Sequence, residues 1–174
     1  MELIERECLA HFIDANFNPD PDNLGTGKTL NYVRIGEDLE AYATELNPQV
    51  EVRKNILGAQ KVIHNGYETQ SSADTFYCYR DEPLYEQLEK IANERLHGTD
   101  CQTSRIEAMF TINPEDSTAV CQWAYRENCW VVPSTFGGDT SGVQIPFTVF
   151  DCGSRVKGTL AKNQSDKWVF TANT

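Results

Sequence analysis

At 174 residues the chain has the length of one domain and can bury roughly 70% of its unfolded surface, enough for a core without covalent staples. With a mean hydropathy of −0.50, it has no apolar run approaching the roughly 20 residues of a membrane-crossing helix, which excludes a helical span. Its 26 acidic and 15 basic residues give a formal net charge of −11, a balance that argues against a basic surface gripping nucleic acid but leaves passage of nucleic acid without capture open.

Residues Met1–Cys8 carry acids where an export signal needs a basic stretch and an apolar block, so no such signal is expected. Leu3, Ile4, Cys8, Phe12 and Ile13 fall near helical spacing, which predicts a short amphipathic helix or arm over Leu3–Phe12. Asn16–Thr29 (NFNPDPDNLGTGKT) is dense in residues that break regular structure and reads as a linker or exposed loop. The expected division is therefore an N-terminal arm over 1–29 and a β domain over 30–174. Leu30–Ile35, Leu39–Leu46, Val50–Ile56 and Gln60–His64 read as strands, and Asn65-Gly66, which tolerates positive φ, reads as a hairpin turn.

Asp81–Leu96 is the one clear helix, because Leu84, Leu88 and Ile91 form an apolar stripe flanked by Tyr85, Ala92 and Leu96. Asp81 suits its cap, Pro83 its first turn and Gly98 its end. Strand alternation returns afterwards. Ile106, Ala108, Phe110 and Ile112 share one face of Arg105–Ile112; Val143, Ile145, Phe147 and Val149 share one face of Val143–Val149. Between them lie Ala119–Arg126, Cys129–Pro133 and the turn-rich Phe136–Gly142. Arg155–Ala161 and Lys167–Thr171 form a closing hairpin around Asn163–Asp166. Strands, one helix, then strands again favour a mainly β (α+β) fold, an antiparallel β-sandwich or barrel with one flanking α-helix.

Motifs that suggest chemistry lack their context. Asp22–Thr29 reads D-x-x-x-x-G-K-T, with a carboxylate where a phosphate-cradling loop needs its first glycine. Gly137–Gly142 (GGDTSG) matches neither serine-nucleophile spacing, and Glu37, Asp38 and Glu40 read as an exposed acidic turn. Asn163-Gln164-Ser165 is a glycosylation sequon without an export signal to use it. The six cysteines, at 8, 78, 101, 121, 129 and 152, are expected as reduced thiols. With no C-x-x-C and with His11, His64 and His97 scattered, neither a metal nor a cofactor is expected, and no catalytic constellation emerges. A small cytoplasmic ligand-binding barrel using Trp123, Trp130 or Trp168 as a pocket wall is the competing reading.

Three segments in order carry a resemblance: Tyr32–Glu40 (YVRIGEDLE), Leu46–Gly58 (LNPQVEVRKNILG) and Phe136–Phe147 (FGGDTSGVQIPF), with the acidic-start helix between the second and third. Together they resemble the major tail, or tail tube, proteins of long-tailed bacteriophages and prophages, over roughly Leu30–Thr171. The resemblance implies a tail-tube-like subunit that forms hexameric rings stacked into a tube. It would sit in the virion tail after assembly in the host cytoplasm, with copies of itself and other tail proteins as partners and no membrane. DNA would traverse the lumen without specific binding, held off the wall by carboxylates. A tube subunit of a tail-derived injection particle is a near variant of the same reading. By carry-over the subunit interface is the long hairpin containing Asn47, Pro48, Val50, Val52, Arg53, Lys54, Asn55, Ile56, Leu57 and Gly58.

Overall fold

The computed structural model describes residues 1–174, with twelve strands and one α-helix. The strands are β1 (Leu9–Asp14), β2 (Tyr32–Ile35), β3 (Thr44–Glu45), β4 (Pro48–Lys54), β5 (Gln60–Tyr67), β6 (Gln70–Ala73), β7 (Gln102–Phe110), β8 (Cys121–Pro133), β9 (Gly137–Asp139), β10 (Gly142–Gln144), β11 (Phe147–Lys162) and β12 (Trp168–Ala172), with α1 (Pro83–Glu94) between β6 and β7. Eight strands form one antiparallel sheet in the order β12-β2-β1-β7-β8-β11-β6-β3, and β11 also pairs with β12. That second pairing closes six of the strands into a barrel, which gives the backbone groups of β2 and β11 partners they would lack at an open edge. Strands β4 and β5 form a separate hairpin, as do β9 and β10.

The 16-residue β11 serves two structures. Phe147–Phe150 pairs with β6 and Gly158–Lys162 with β12, while β8 runs along much of its length. A register shift between Cys152 and Val156 separates the two halves, and Gly153 there has φ +88°, a conformation that favours glycine. Near the seam Gly158 lies so close to β12 that a Cβ on it would fall 2.3 Å from the Thr171 carbonyl oxygen.

Side chains fill the barrel. Phe12, Ile106, Ala108, Phe110, Ala124 and Leu160 pack inside it, with the Trp168 ring 5.0 Å from Phe12 and 5.8 Å from Phe110, centroid to centroid. A second core lies outside the wall, where Leu84 and Leu88 of α1 pack on Ile13, Val131, Ile145, Phe147 and Val149. The helix appears where its stripe predicts. Its cap is Glu82 rather than Asp81, and its end is Arg95 at φ +53°, a left-handed position that glycine usually fills, rather than Gly98.

Several expectations are corrected. Leu3–Phe12 is neither helix nor arm: only Arg6–Cys8 forms a helical turn, and Leu9–Asp14 is an inner strand between β2 and β7. Within the segment 1–29, Leu9–Asp14 is thus a strand of the sheet rather than part of an arm preceding it. The Asp14 carboxylate fastens the Asn16–Thr29 loop by accepting the backbone N–H groups of Asn16, Asn18 and Asn31 and the Asn18 side-chain amide. Leu39–Leu46 contributes only the two residues of β3. Asn65-Gly66 is not a turn but an extra residue in β5, where Pro48 faces Tyr67 while Val50 faces His64. Ala119–Arg126 and Cys129–Pro133 are parts of one continuous β8. Val143 belongs to β10, apart from β11, and is exposed, as is Ile112 beyond the end of β7. The Asn163–Asp166 turn forms as expected, with Asn163 Oδ1 accepting from the N–H groups of Ser165 and Lys167.

Candidate interaction surface

The β4–β5 hairpin leaves the body between β3 and β6. At ~3.3 Å per residue its seven-residue strand β4 projects about 23 Å. No residue from 46 to 68 is buried. Cross-strand partners share a face, so the pairs Val50–His64 and Val52–Val62 place three valines on one side, while Glu51–Ile63 and Arg53–Lys61 occupy the other. Arg53 is spoken for by Glu51 at 2.7 Å.

The real turn is Asn55–Ala59. Asn55 donates its N–H to the Ala59 carbonyl, and its side-chain oxygen accepts from the N–H groups of Leu57 (3.0 Å) and Ala59 (2.9 Å). Gly58 takes φ +78°. This Asx-type closure fixes the tip and holds Ile56 and Leu57 outward, at 103% and 86% exposure. The ten residues assigned to the interface therefore lie together on one projecting element: Asn47 and Pro48 at its root, Val50 and Val52 on its apolar face, Arg53 on the opposite face, Lys54 next to the turn, and Asn55, Ile56, Leu57 and Gly58 in the turn.

The root of the hairpin is held by charges buried beneath it. Arg105 of β7 donates to Asp151 of β11 (2.6 Å), Glu127 of β8 (3.2 Å), the Thr44 hydroxyl (3.2 Å) and the Ser71 hydroxyl (3.2 Å). Its Nε also approaches Asp151 Oδ1 at 2.5 Å, a charge contact in which the N–H is not aligned for a hydrogen bond. Thr44, where the chain enters the excursion, donates to Glu107 at 2.7 Å; Thr69, where it returns, donates to Asp151 at 2.6 Å. Asn47 and Glu68 cross-link the two legs through backbone and side-chain hydrogen bonds. Arg155 reaches Glu107 at 3.2 Å and Glu127 at 3.4 Å from the solvent side.

Burial dominates the titration of this cluster. It works against the Arg105 charge, but Asp151 and then Glu127 more than offset it, so the guanidinium pKa is raised. Burial, with Asp151 second, pushes the Glu127 carboxyl up; burial pushes Asp151 up against the pull of Arg105. Burial also lifts Glu107, but the Thr44 hydroxyl, His11 and the arginines outweigh it and hold that carboxyl below its ordinary value. Desolvation lowers His11 to about 4, although Glu107 Oε2 lies 3.8 Å from its Nδ1.

Sequence reasoning missed this network. It placed Ile106, Ala108 and Phe110 inward and left the opposite face of the strand to solvent, whereas β3 and β6 cover that face around Arg105. The available signal was a charge inside each of three strands, Arg105, Glu127 and Asp151, at positions of opposite sign. Of the tryptophans offered as pocket walls, Trp168 is half-buried, packing against the barrel core beside Phe12 and lining an open groove with Phe110, Leu160 and Lys162, and Trp123 lies against Tyr125 with ring centroids 5.7 Å apart.

No family model matches the chain, and no curated protein matches it. Among solved structures it is similar to a chain of the anti-feeding prophage cap, the tube terminating cap, determined by cryo-electron microscopy. The identity is 6% and the TM-score 0.46, with 91% of this chain and 93% of that chain covered.

Proposed function

We propose that this protein is a structural, non-catalytic subunit that self-assembles into rings stacked as the tube of a phage tail or tail-like particle, through which DNA or other cargo passes. The observation that carries the reading is the hairpin. A two-stranded ribbon is marginal in water by itself, yet this one projects with a valine face and an aliphatic tip that nothing in its own subunit covers. Burying Ile56 and Leu57 on a partner is worth about 1.5–3 kcal/mol for each side chain before the costs of association. The ordered Tyr32–Glu40, Leu46–Gly58 and Phe136–Phe147 segments add the resemblance to tail tube proteins, and the acidic excess suits a conduit that must not retain phosphate. Hexameric symmetry, a location in the virion tail and contacts with other tail proteins belong to the same proposal.

Negative-stain electron microscopy over a concentration series, paired with mass in solution, tests it. Rings or hollow tubes are expected from the wild type. Ile56→Asp or Leu57→Asp is expected to give a folded monomer of unchanged melting temperature that builds neither, because a charge buried unpaired at an interface is costly. A wild type that stays monomeric across the series overturns the reading.

A further inference from the structure

The hairpin is a plug, and a groove on the same chain has the complementary composition. The groove, about 680 Å³, runs between the residues preceding β1 and the segment that follows β2. Leu9, Leu39 and Tyr42 supply apolar surface at half-buried or buried positions, and the exposed carboxylates of Glu5, Glu37 and Glu40 line it. We propose that the Ile56-Leu57 tip of one copy docks in this groove of a second copy, with Lys54 and Lys61 set against Glu37 and Glu40. The assignment rests on the self-assembly reading above and names the surface that receives the hairpin.

Charge is the first argument. Residues 47–67 carry three cations and one carboxylate in a chain of net charge −11. The carboxylate, Glu51, is taken by Arg53, and Lys54 and Lys61 have no ion-pair partner within their own subunit. Around the groove the reverse holds. Its two cations are committed: Arg6 donates to the carbonyls of Leu9 (2.5 Å) and Tyr42 (2.7 Å), and Arg34 to the Glu7 carbonyl (3.1 Å) and Asn113 (3.2 Å). Glu37 and Glu40 form no ion pair. Lysines left over on one surface thus match carboxylates left over on another, an arrangement that favours encounter and fixes register.

Preorganisation is the second. The acidic turn is held rather than loose: Asp38 sits at φ +59° and accepts a hydrogen bond from the Tyr79 hydroxyl, and Leu39 donates its N–H to the Gly36 carbonyl. The tip that would enter is closed by Asn55. Two pre-formed surfaces lose little conformational freedom on meeting. Because plug and groove are different patches of one chain, each copy gives one contact and receives one, a heterologous arrangement that closes into a ring or extends as a stack.

Charge exchange tests the pairing on the full-length protein. Lys54→Glu/Lys61→Glu and, separately, Glu37→Lys/Glu40→Lys are each expected to weaken self-association on the order of 100-fold by analytical ultracentrifugation, since like charges then face each other. All four positions are exposed, and the melting temperatures are expected to stay at the wild-type value. Mixing the two variants restores assembly, because each hairpin then meets a groove of opposite charge. Wild type that assembles while the mixture does not, or variants that assemble normally, overturns the groove assignment and leaves self-assembly standing. Wild type that never assembles overturns both.

Discussion

Replacing Arg105 with methionine keeps most of its side-chain volume and removes the cation that Glu127 and Asp151 share. Arg105 is 3% exposed, and its loss leaves Asp151 with the Thr69 hydroxyl and Glu127 with Arg155, whose own side chain is 42% exposed and whose compensation is screened accordingly. Removing one member of a buried ionic group costs about 3–5 kcal/mol, against a total stability of about 5–15 kcal/mol for a domain. With a urea dependence of about 2 kcal/mol per molar, the midpoint is expected to fall by about 2 M. The deficit also depends on pH with a definite sign. Glu127 and Asp151 already titrate above their unfolded values, and without Arg105 they rise further. Carboxyls raised in the folded state bind more protons there than in the unfolded chain, so the penalty of Arg105→Met is largest at pH 7 and shrinks as the pH falls through the raised values. Adding Glu127→Gln and Asp151→Asn is expected to recover most of the loss at pH 7. A midpoint shift equivalent to less than about 1 kcal/mol, or a deficit that grows on acidification, refutes the account of a buried charge cluster fixing the hairpin root.

Two further outcomes follow from the packing. Gly158→Ala puts a methyl group 2.3 Å from the Thr171 carbonyl oxygen and 2.5 Å from the Phe170 ring, so β12 must move; faster hydrogen exchange confined to β12 and β2 is expected, and wild-type protection there would contradict the seam as described. His11 stays neutral to about pH 4 when folded and titrates near 6.5 when unfolded, so the unfolded chain binds more protons between these values and stability falls with pH through that window. The two values give about 2 kcal/mol lost between pH 7 and pH 5. Urea midpoints at both pH values should show that loss for wild type and a flatter profile for His11→Phe; parallel profiles would sink the assignment.

What the sequence disclosed tracks how local each cause is. The stripe Leu84, Leu88, Ile91 encodes α1, and Asn163 encodes its turn, because neighbours in sequence satisfy both. Strand β7 was legible on the face where Ile106, Ala108 and Phe110 enter the barrel. Strand β1 was not, because Leu9–Asp14 is covered on both faces: Ala10 and Phe12 point into the barrel, Ile13 into the core beneath α1. A run buried on two sides has no alternation to read. The hairpin's strands Val50–Ile56 and Gln60–His64 were nearly right, yet a turn was also expected at Asn65-Gly66, between Lys61–Ile63 and the residues after Tyr67, where the same permissive backbone serves a bulge within β5. The ten interface positions were named from resemblance; their common exposure is a fact of the fold, and Arg105 beneath them depends on partners 22 to 61 positions away.

The closing of the barrel by β12 sets an order in time. Leu9–Asp14 and Tyr32–Ile35 are made first, but β1 needs β7, and β2 meets its second neighbour only when Trp168 pairs with Tyr32. Pairings so distant in sequence place folding in the slower milliseconds-to-seconds regime of β proteins. Until Trp168–Ala172 is laid between β2 and β11, both of those strands offer unsatisfied backbone to any neighbouring nascent chain. The Asn55-closed hairpin draws its cross-strand partners from nearby sequence and can form early. During synthesis, then, the exposed apolar hairpin is ready before the barrel that carries it is sealed, and crowding of unfinished chains is the moment at which open strand edges are most exposed to mispairing.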